Sequence, residues 1–416
     1  MYKQSQTAQR LEQIQHFTQF QITQSEILEL IAQYTAESLN TDIFSDIIDY
    51  RVKEVTNSEL DDESTGNLGY MLNCAQALDN IQHKPMVGVP KVYNTIEKIA
   101  GVFFGGILPC WTEYQIFIRT NKTGSKSSQN SFAGTRPALS IDVGMGYYAE
   151  LITDISADHR TFLTSFTDRP LSLADANALI NLETFVKQQH WYEMLYDMAL
   201  SSAGEHIILY QENEQGEAML FASARIQRWE QRDKWLAFDP FFQSDKWKLS
   251  VTGEKIRSLE QSGVFVEGLM DKLSTTTPAN LDRSLCQSVA SEGAMCELIR
   301  LAVSGPNERM NQLLFLTTKY LTLLLKSAKL ELVYIITEQP AILFFFHSAN
   351  QVSANGKPYI PLSHHQVNKS SPVTHKGFFI SSKIADMLEN CSFKDYYKII
   401  LKARKQNKKG MEITHV

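Results

Sequence analysis

Residues 296–303 read CELIRLAV, and this stretch decides the class of the fold. The run is short, apolar, and broken only by Glu297 and Arg300, so it reads as a buried strand rather than part of a longer helix. Ser304, Gly305, Pro306 and Asn307 stop it. The segment 308–329 then carries a helical pattern led by that turn. Further on come a short apolar strand at 332–336, a helix starting at Pro340 and reaching about 347, and a strand at 377–380 (GFFI). Upstream, EHIILYQ (205–211) and EAMLFASARIQR (217–228) flank the polar turn ENEQG, which is a hairpin signature. Before the hairpin, 171–195 is helical, with Leu173, Ala176, Leu179, Ile180 and Phe185 on one face, and 147–155 is a strand. A strand, crossover helix and parallel strand must be right-handed, which leaves few topologies. The class is α/β.

Working outward, residues 1–60 read as helix, with Leu11, Ile14, Phe17 and Phe20 and then Ile27, Leu28, Leu30 and Ile31 at helical spacing. Glu59, Asp61, Asp62, Glu63 and Gly66 close that region as a loop. The segment 121–136 (NKTGSKSSQNSFAGTR) is polar and Gly/Ser-rich, which marks a linker. The expected division is therefore a mainly helical extension at 1–135, an α/β domain at 136–382 and a basic C-terminal helix and tail at 383–416. In that tail Lys398, Lys402, Arg404, Lys405, Lys408 and Lys409 cluster, either as a solvated face or as a dock for an acidic partner. Residues 230–293 form a long insertion.

With 416 residues, 43% hydrophobic and 21% charged, the chain has the composition of a globular protein and not of a disordered or fibrous one. A net charge of -6 gives no global attraction to nucleic acid or anionic membrane. The apolar stretches 99–111 and 313–325 are too short for a membrane span of about 20 residues. The Gln-rich start lacks the basic and apolar pattern of an export signal, so the cytoplasm is the expected compartment. Five scattered cysteines without CxxC or Cys/His spacing read as reduced thiols, and no metal site is expected. His364 and His365 fall in a Pro/Ser-rich stretch that reads as a solvated loop. Cys296 has no histidine partner by spacing. No P-loop, dinucleotide fingerprint or nucleophile elbow occurs.

The element order resembles that of the GCN5-related acetyltransferase fold, in which two parallel strands part to admit a thioester arm. Within that order, Glu297-Leu298-Ile299-Arg300 followed by apolar residues resembles the E-x-x-R strand of LuxI-type acyl-homoserine-lactone synthases. ASARIQ (222–227) with Arg225 resembles their inward-facing hairpin strand, and Val264, Phe265 and Leu269 resemble their VFxxL segment. LVYIITEQPAILFFFHSA (332–349), with Thr337 at the strand end, resembles the next strand and helix; GKPYIPL (356–362) and 374–380 resemble the closing turn and last strand. The resemblance covers about 180–380, and the long N-terminal extension is similar to the divergent LuxM/AinS type.

That resemblance implies an acyltransferase joining an acyl group, carried by acyl carrier protein or coenzyme A, to the amine of S-adenosylmethionine. Lactonisation would follow, with no separate cofactor. The amine is protonated in water, so a carboxylate must take its proton. Glu297 is the candidate general base, although the same spacing is open to an ion pair with Arg300. Arg225 or Arg300 could hold the substrate carboxylate, or either could be an ordinary strand residue. Backbone N–H groups at 302–304, ending at Ser304, could stabilise the oxyanion. In the family an Arg, a Phe and a Trp lie near the amine site; here Phe185 and Trp191 keep the spacing, but Asn181 takes the Arg position. Glu193 and Asp197 (in EMLYD) stand for the family's acidic run, and Thr337 for a residue sensing the acyl C3 position. SGPNER lacks the glycine-rich phosphate cradle of ordinary acetyltransferases, which favours a carrier-protein pantetheine arm. An N-acyltransferase for another amine, and an interaction protein keeping the fold, are the alternatives.

Overall fold

The computed structural model describes residues 5–16, 22–59, 88–121, 136–238, 242, 246–250, 253–353, 357–366 and 373–410. Phe17, Phe20, most of the expected linker, the acidic loop after Glu59, Gly356 and the side chains of Lys402, Arg404, Lys405, Lys408 and Lys409 lie outside the described residues. The strands are β1 (Ser140–Gly144), β2 (Tyr147–Ile152), β3 (Thr161–Thr164), β4 (Thr167–Ser172), β5 (His206–Glu212), β6 (Ala218–Arg228), β7 (Lys248–Leu249), β8 (Met295–Val303), β9 (Leu332–Thr337), β10 (Tyr359–His365) and β11 (Thr374–Ile380). Contacts divide the chain into two units: Met1–Asn130 with Arg160–Ser202, and Ser131–His159 with Ala203–Val416.

The first unit is largely helical, as the N-terminal periodicity leads one to expect. Helix Gln24–Glu37 begins with a capping box, in which the Thr23 hydroxyl accepts from Glu26 N at 3.2 Å and Glu26 accepts from Thr23 N at 2.8 Å. Two donors otherwise orphaned at the helix start are thereby satisfied. Buried Leu11, Ile27, Ile31, Phe44, Ile96 and Trp111 form the interior. The region expected as one helix at 171–195 is interrupted. An α-helix covers Leu173–Asn181, a wide π-type turn Leu182–Lys187 follows, and His190 at φ 57° leads into a 3₁₀ turn at Tyr192–Leu195. Apolar spacing survives such a change of pitch, so periodicity alone did not reveal it.

The second unit is built on a mixed sheet whose path is β1-β2-β5-β6-β8-β9-β11-β10-β7. Every neighbouring pair on that path is antiparallel except β8 and β9, which run parallel across the helix Met310–Ser327. One face buries Leu209, Ala224, Cys296 and Val333 under the helices Met310–Ser327, Pro340–Val352, Ser381–Glu389 and Phe393–Gly410. On the opposite face, Trp229, Trp235, Leu259 and Leu281 from the 229–286 segment pack on Met295, Tyr334, Ile360 and Phe378.

His364 and His365 are not in a loop. They lie on β10, which pairs with β11 on one side and β7 on the other. Pro361 sits where the register shifts, a place that tolerates its missing N–H, so the proline did not end the strand. The helix from Pro340 runs on to Val352, past the expected 347.

Candidate active site

The E-x-x-R stretch does not lie on a regular strand. Ile299 faces Arg225, and the next paired residue, Ala302, faces Ser223, so Arg300 and Leu301 together oppose Ala224 alone. This is a β-bulge, a device that re-aims side chains beside functional sites. Arg300 has φ 53°, a left-handed conformation that costs a side-chain-bearing residue roughly 1–2 kcal/mol. Because of the extra residue, Leu298 and Leu301 pack on the same core. The parallel pairing of β8 with β9 runs from Met295/Leu332 to Leu298/Ile335, while the strands themselves continue to Val303 and Thr337. Arg300 stands just past the end of that ladder.

Glu297 is completely buried. Its two carboxyl oxygens accept from the backbone amides of Leu236 at 2.8 Å and Ala237 at 3.0 Å. The ion pair with Arg300 left open by the spacing is thus replaced by a clasp on the 3₁₀ turn Leu236–Phe238. Burial pushes the carboxyl up to about 8, against the two amide bonds, which favour its ionised form; the nearby Asp282 carboxylate adds to the rise. A carboxyl titrating there changes charge near neutrality, which suits proton transfer. Its neighbour Cys296 is different. Burial drives that thiol upward, which makes it a poor nucleophile.

Arg225 lies on the strand next to Glu297's. Its guanidinium donates to the carbonyl of Ala203 and presses on Gly204, where an added Cβ would come within 3.1 Å of Nη2. Gly204 also has φ 83°, so both backbone and neighbour demand glycine. Ser304 is buried and its amide donates to Phe221 O at 2.7 Å, which occupies that N–H. Thr337, at the end of β9, accepts from Gln339 N at 3.1 Å and so shapes the turn into the helix Pro340–Val352.

The other candidates belong to the first unit. Phe185 and Trp191 touch, with ring centroids 5.8 Å apart. Asn181, in the position of the family's Arg, donates to Asn177 O at 2.9 Å inside its own helix. Glu193 is half-buried and Asp197 exposed. The structure thus gathers Glu297, Arg300 and Arg225 on adjoining strands of the second unit, and Phe185 with Trp191 in the first.

The acyl homoserine lactone synthase family model matches residues 24–409. The chain belongs to the acyl-homoserine-lactone synthase family. It is 29% identical to the acyl-homoserine-lactone synthase LuxM of Vibrio atlanticus (strain LGP32) over 255 residues, 61% of this chain and 63% of that one. It is 32% identical to OpaM, the synthase of Vibrio parahaemolyticus serotype O3:K6, over 255 residues, 61% of this chain and 62% of the relative. A LuxM of Vibrio campbellii is 24% identical over 384 residues, 92% of this chain and 93% of the relative. For the first two relatives the match spans a little over three-fifths of their length. No solved structure matches.

This synthase-family chain also holds a buried charge cluster that sequence reasoning missed. Lys376 on β11 is fully buried and donates to Asp282 at 2.7 Å and to Phe242 O at 2.5 Å. Its ammonium lies 4.8 Å from the Trp247 ring centroid. Asp282 also accepts from the Tyr334 hydroxyl at 2.9 Å, and Tyr334 is the β9 partner of Glu297. The available signal was a lone lysine in the strand THKGFFI; nothing local marked Asp282. Nearby, His364 bonds Ser250 at 2.7 Å, and burial lowers His375 to about 4, helped by His364 and His347. Among the described residues no group of three or more His, Cys, Asp or Glu could hold a metal. No described helix is long and apolar enough to cross a membrane.

Proposed function

We propose that this chain is an acyl-homoserine-lactone synthase acting in the cytoplasm on an acetyltransferase-like sheet. The acyl donor is a thioester on acyl carrier protein or coenzyme A, and the acceptor is the amine of S-adenosylmethionine. The amine nitrogen attacks the thioester carbonyl, the carbon–sulfur bond breaks, and the thiol leaves with the donor. The product's carboxylate oxygen then closes the lactone and releases methylthioadenosine. No metal or resident cofactor enters either step.

The observation that carries this reading is Glu297, a buried carboxyl titrating near neutrality beside the point where β8 and β9 stop pairing. In its ionised form it takes the amine's proton. Arg300, held in a costly backbone conformation at the bulge, supplies a planar cation for the substrate carboxylate. Arg225 assists from β6, Thr337 sits where the acyl chain would begin, and the β8 amides beyond the β9 ladder face the thioester carbonyl. The family match and the three relatives support the same reading.

The test is steady-state turnover with S-adenosylmethionine and acyl thioesters of short, medium and long chain, reading free thiol and methylthioadenosine together. The wild type releases both. Glu297→Gln should slow turnover at least about a hundredfold, the lower range for a lost general base, with its circular dichroism unchanged. Full activity in that variant removes Glu297 from the chemistry, and absence of both products in the wild type removes the function.

A further inference from the structure

Strand β6 carries, on either side of Arg225, two polar side chains that the reaction as outlined above does not use. Ala222, Ala224 and Ile226 point into the sheet's helix-covered core. The alternate residues Ser223, Arg225 and Gln227 therefore share the other face. Ser223 and Gln227 are each only 1% exposed. Ser223 Oγ and Gln227 Oε1 nevertheless find no hydrogen-bond partner among the described residues, nor does Trp229 Nε1 two positions further on. Buried polar atoms left this way are rare in native proteins and call for a bound group or ordered water.

Their placement says what kind of group. Gln227 is the direct antiparallel partner of Glu297, and such pairs hold their Cβ atoms about 4.5–5.5 Å apart on one face. An acceptor oxygen in need of a donor therefore stands beside the carboxyl. One alternate position along is a guanidinium, Arg225, and one beyond that a hydroxyl, Ser223. Two acceptors followed by two donors complement an ammonium next to a carboxylate.

Resting on the synthase reading, we propose that this strip of β6 seats the amino-acid end of the amine substrate. Gln227 Oε1 accepts an N–H from the amine beside Glu297, and Ser223 Oγ donates to the carboxylate beside Arg225. Gln227 thus aims the nitrogen's lone pair while Glu297 takes the proton. Neither residue needs a partner inside the free protein, because the substrate completes both.

Near-isosteric Gln227→Leu and Ser223→Ala test this with two readouts, the melting temperature of the free protein and the KM for each substrate. Removing an atom that makes no bond in the free protein leaves its melting point within about 2 °C of wild type or raises it. The KM for S-adenosylmethionine should rise about tenfold for Gln227→Leu, the scale of one hydrogen bond to a charged group. Ser223→Ala should raise it about threefold, with the KM for the acyl thioester unchanged in both variants. A melting point lowered by several degrees in Ser223→Ala assigns that hydroxyl a structural partner and overturns the proposal, as does an equal rise in both KM values. Should Gln227→Leu fail to fold, that too makes the residue structural and overturns its role. Wild-type KM values in folded, active variants overturn the strip and leave the synthase reading standing. A wild type that turns over no thioester with S-adenosylmethionine defeats both.

Discussion

Two buried polar clusters occupy one face of the same sheet and differ in how completely they are answered. Around β11, Lys376 meets Asp282, a backbone carbonyl and the face of Trp247, and Asp282 meets Tyr334. Along β6, Ser223 and Gln227 present atoms that no described residue satisfies, next to a carboxyl that burial keeps near neutrality. Depth does not separate them, since Lys376 and Glu297 are both at 0% exposure. Completion does. The charges of the first cluster are answered within the chain, whereas the second leaves acceptor and donor atoms open beside its carboxyl, as the proposed substrate strip requires.

The largest blow to that contrast falls on the closed cluster. Lys376→Met leaves Asp282 buried without its cation, which should cost about 3–5 kcal/mol of stability, read by urea denaturation. A loss under about 1 kcal/mol would mean that the pair is solvated and the contrast false. A second effect is spread over pH. The Glu297 carboxyl is raised from 4.5 to about 8, so between those values the folded chain binds a proton that the unfolded chain has released. Its contribution to stability is therefore fully present at low pH, falls as pH rises through that window, and stays level above it. Glu297→Gln lacks this step, and subtracting the two stability–pH curves should leave a slope confined to that window; parallel curves would return Glu297 to the ordinary carboxylate range. The smallest effect sharpens the bulge. Arg300→Ala and Arg300→Gly both remove the guanidinium, but only glycine is at ease at φ 53°. Arg300→Gly should be about 1 kcal/mol more stable than Arg300→Ala, with both inactive. Equal stabilities would mean that the bulge relaxes once its side chain is gone.

Much of the sheet was legible because its strands are short apolar runs between turn residues. The hairpin of β5 and β6, β8, and β9 all fall where alternation and punctuation put them. Glu297 and Arg300 stood out as the only charges in an apolar strand. Their geometry was hidden: the bulge at Arg300 depends on register with β6, and the amides that clasp Glu297 come from 60 and 61 residues away. His364 and His365 misled because a proline and polar neighbours look like a loop until β7 and β11 are known to flank them. Orphaned atoms such as Gln227 Oε1 have no local signature, since a missing partner is a property of the assembled chain.

The order of β9, β11 and β10 in the sheet also dictates a sequence of assembly. β10 is synthesised before β11 but lies outside it, so β10, together with its outer partner β7, cannot join the sheet at β9 until β11 has been made and inserted. The same arrival brings Lys376, which follows Asp282 by 94 residues. At ordinary rates of synthesis the carboxylate waits about 5–20 s for its cation. The helix Leu281–Cys286 that carries it must therefore stay wet, and the aromatic layer over this end of the sheet seals only when the last strand slots in.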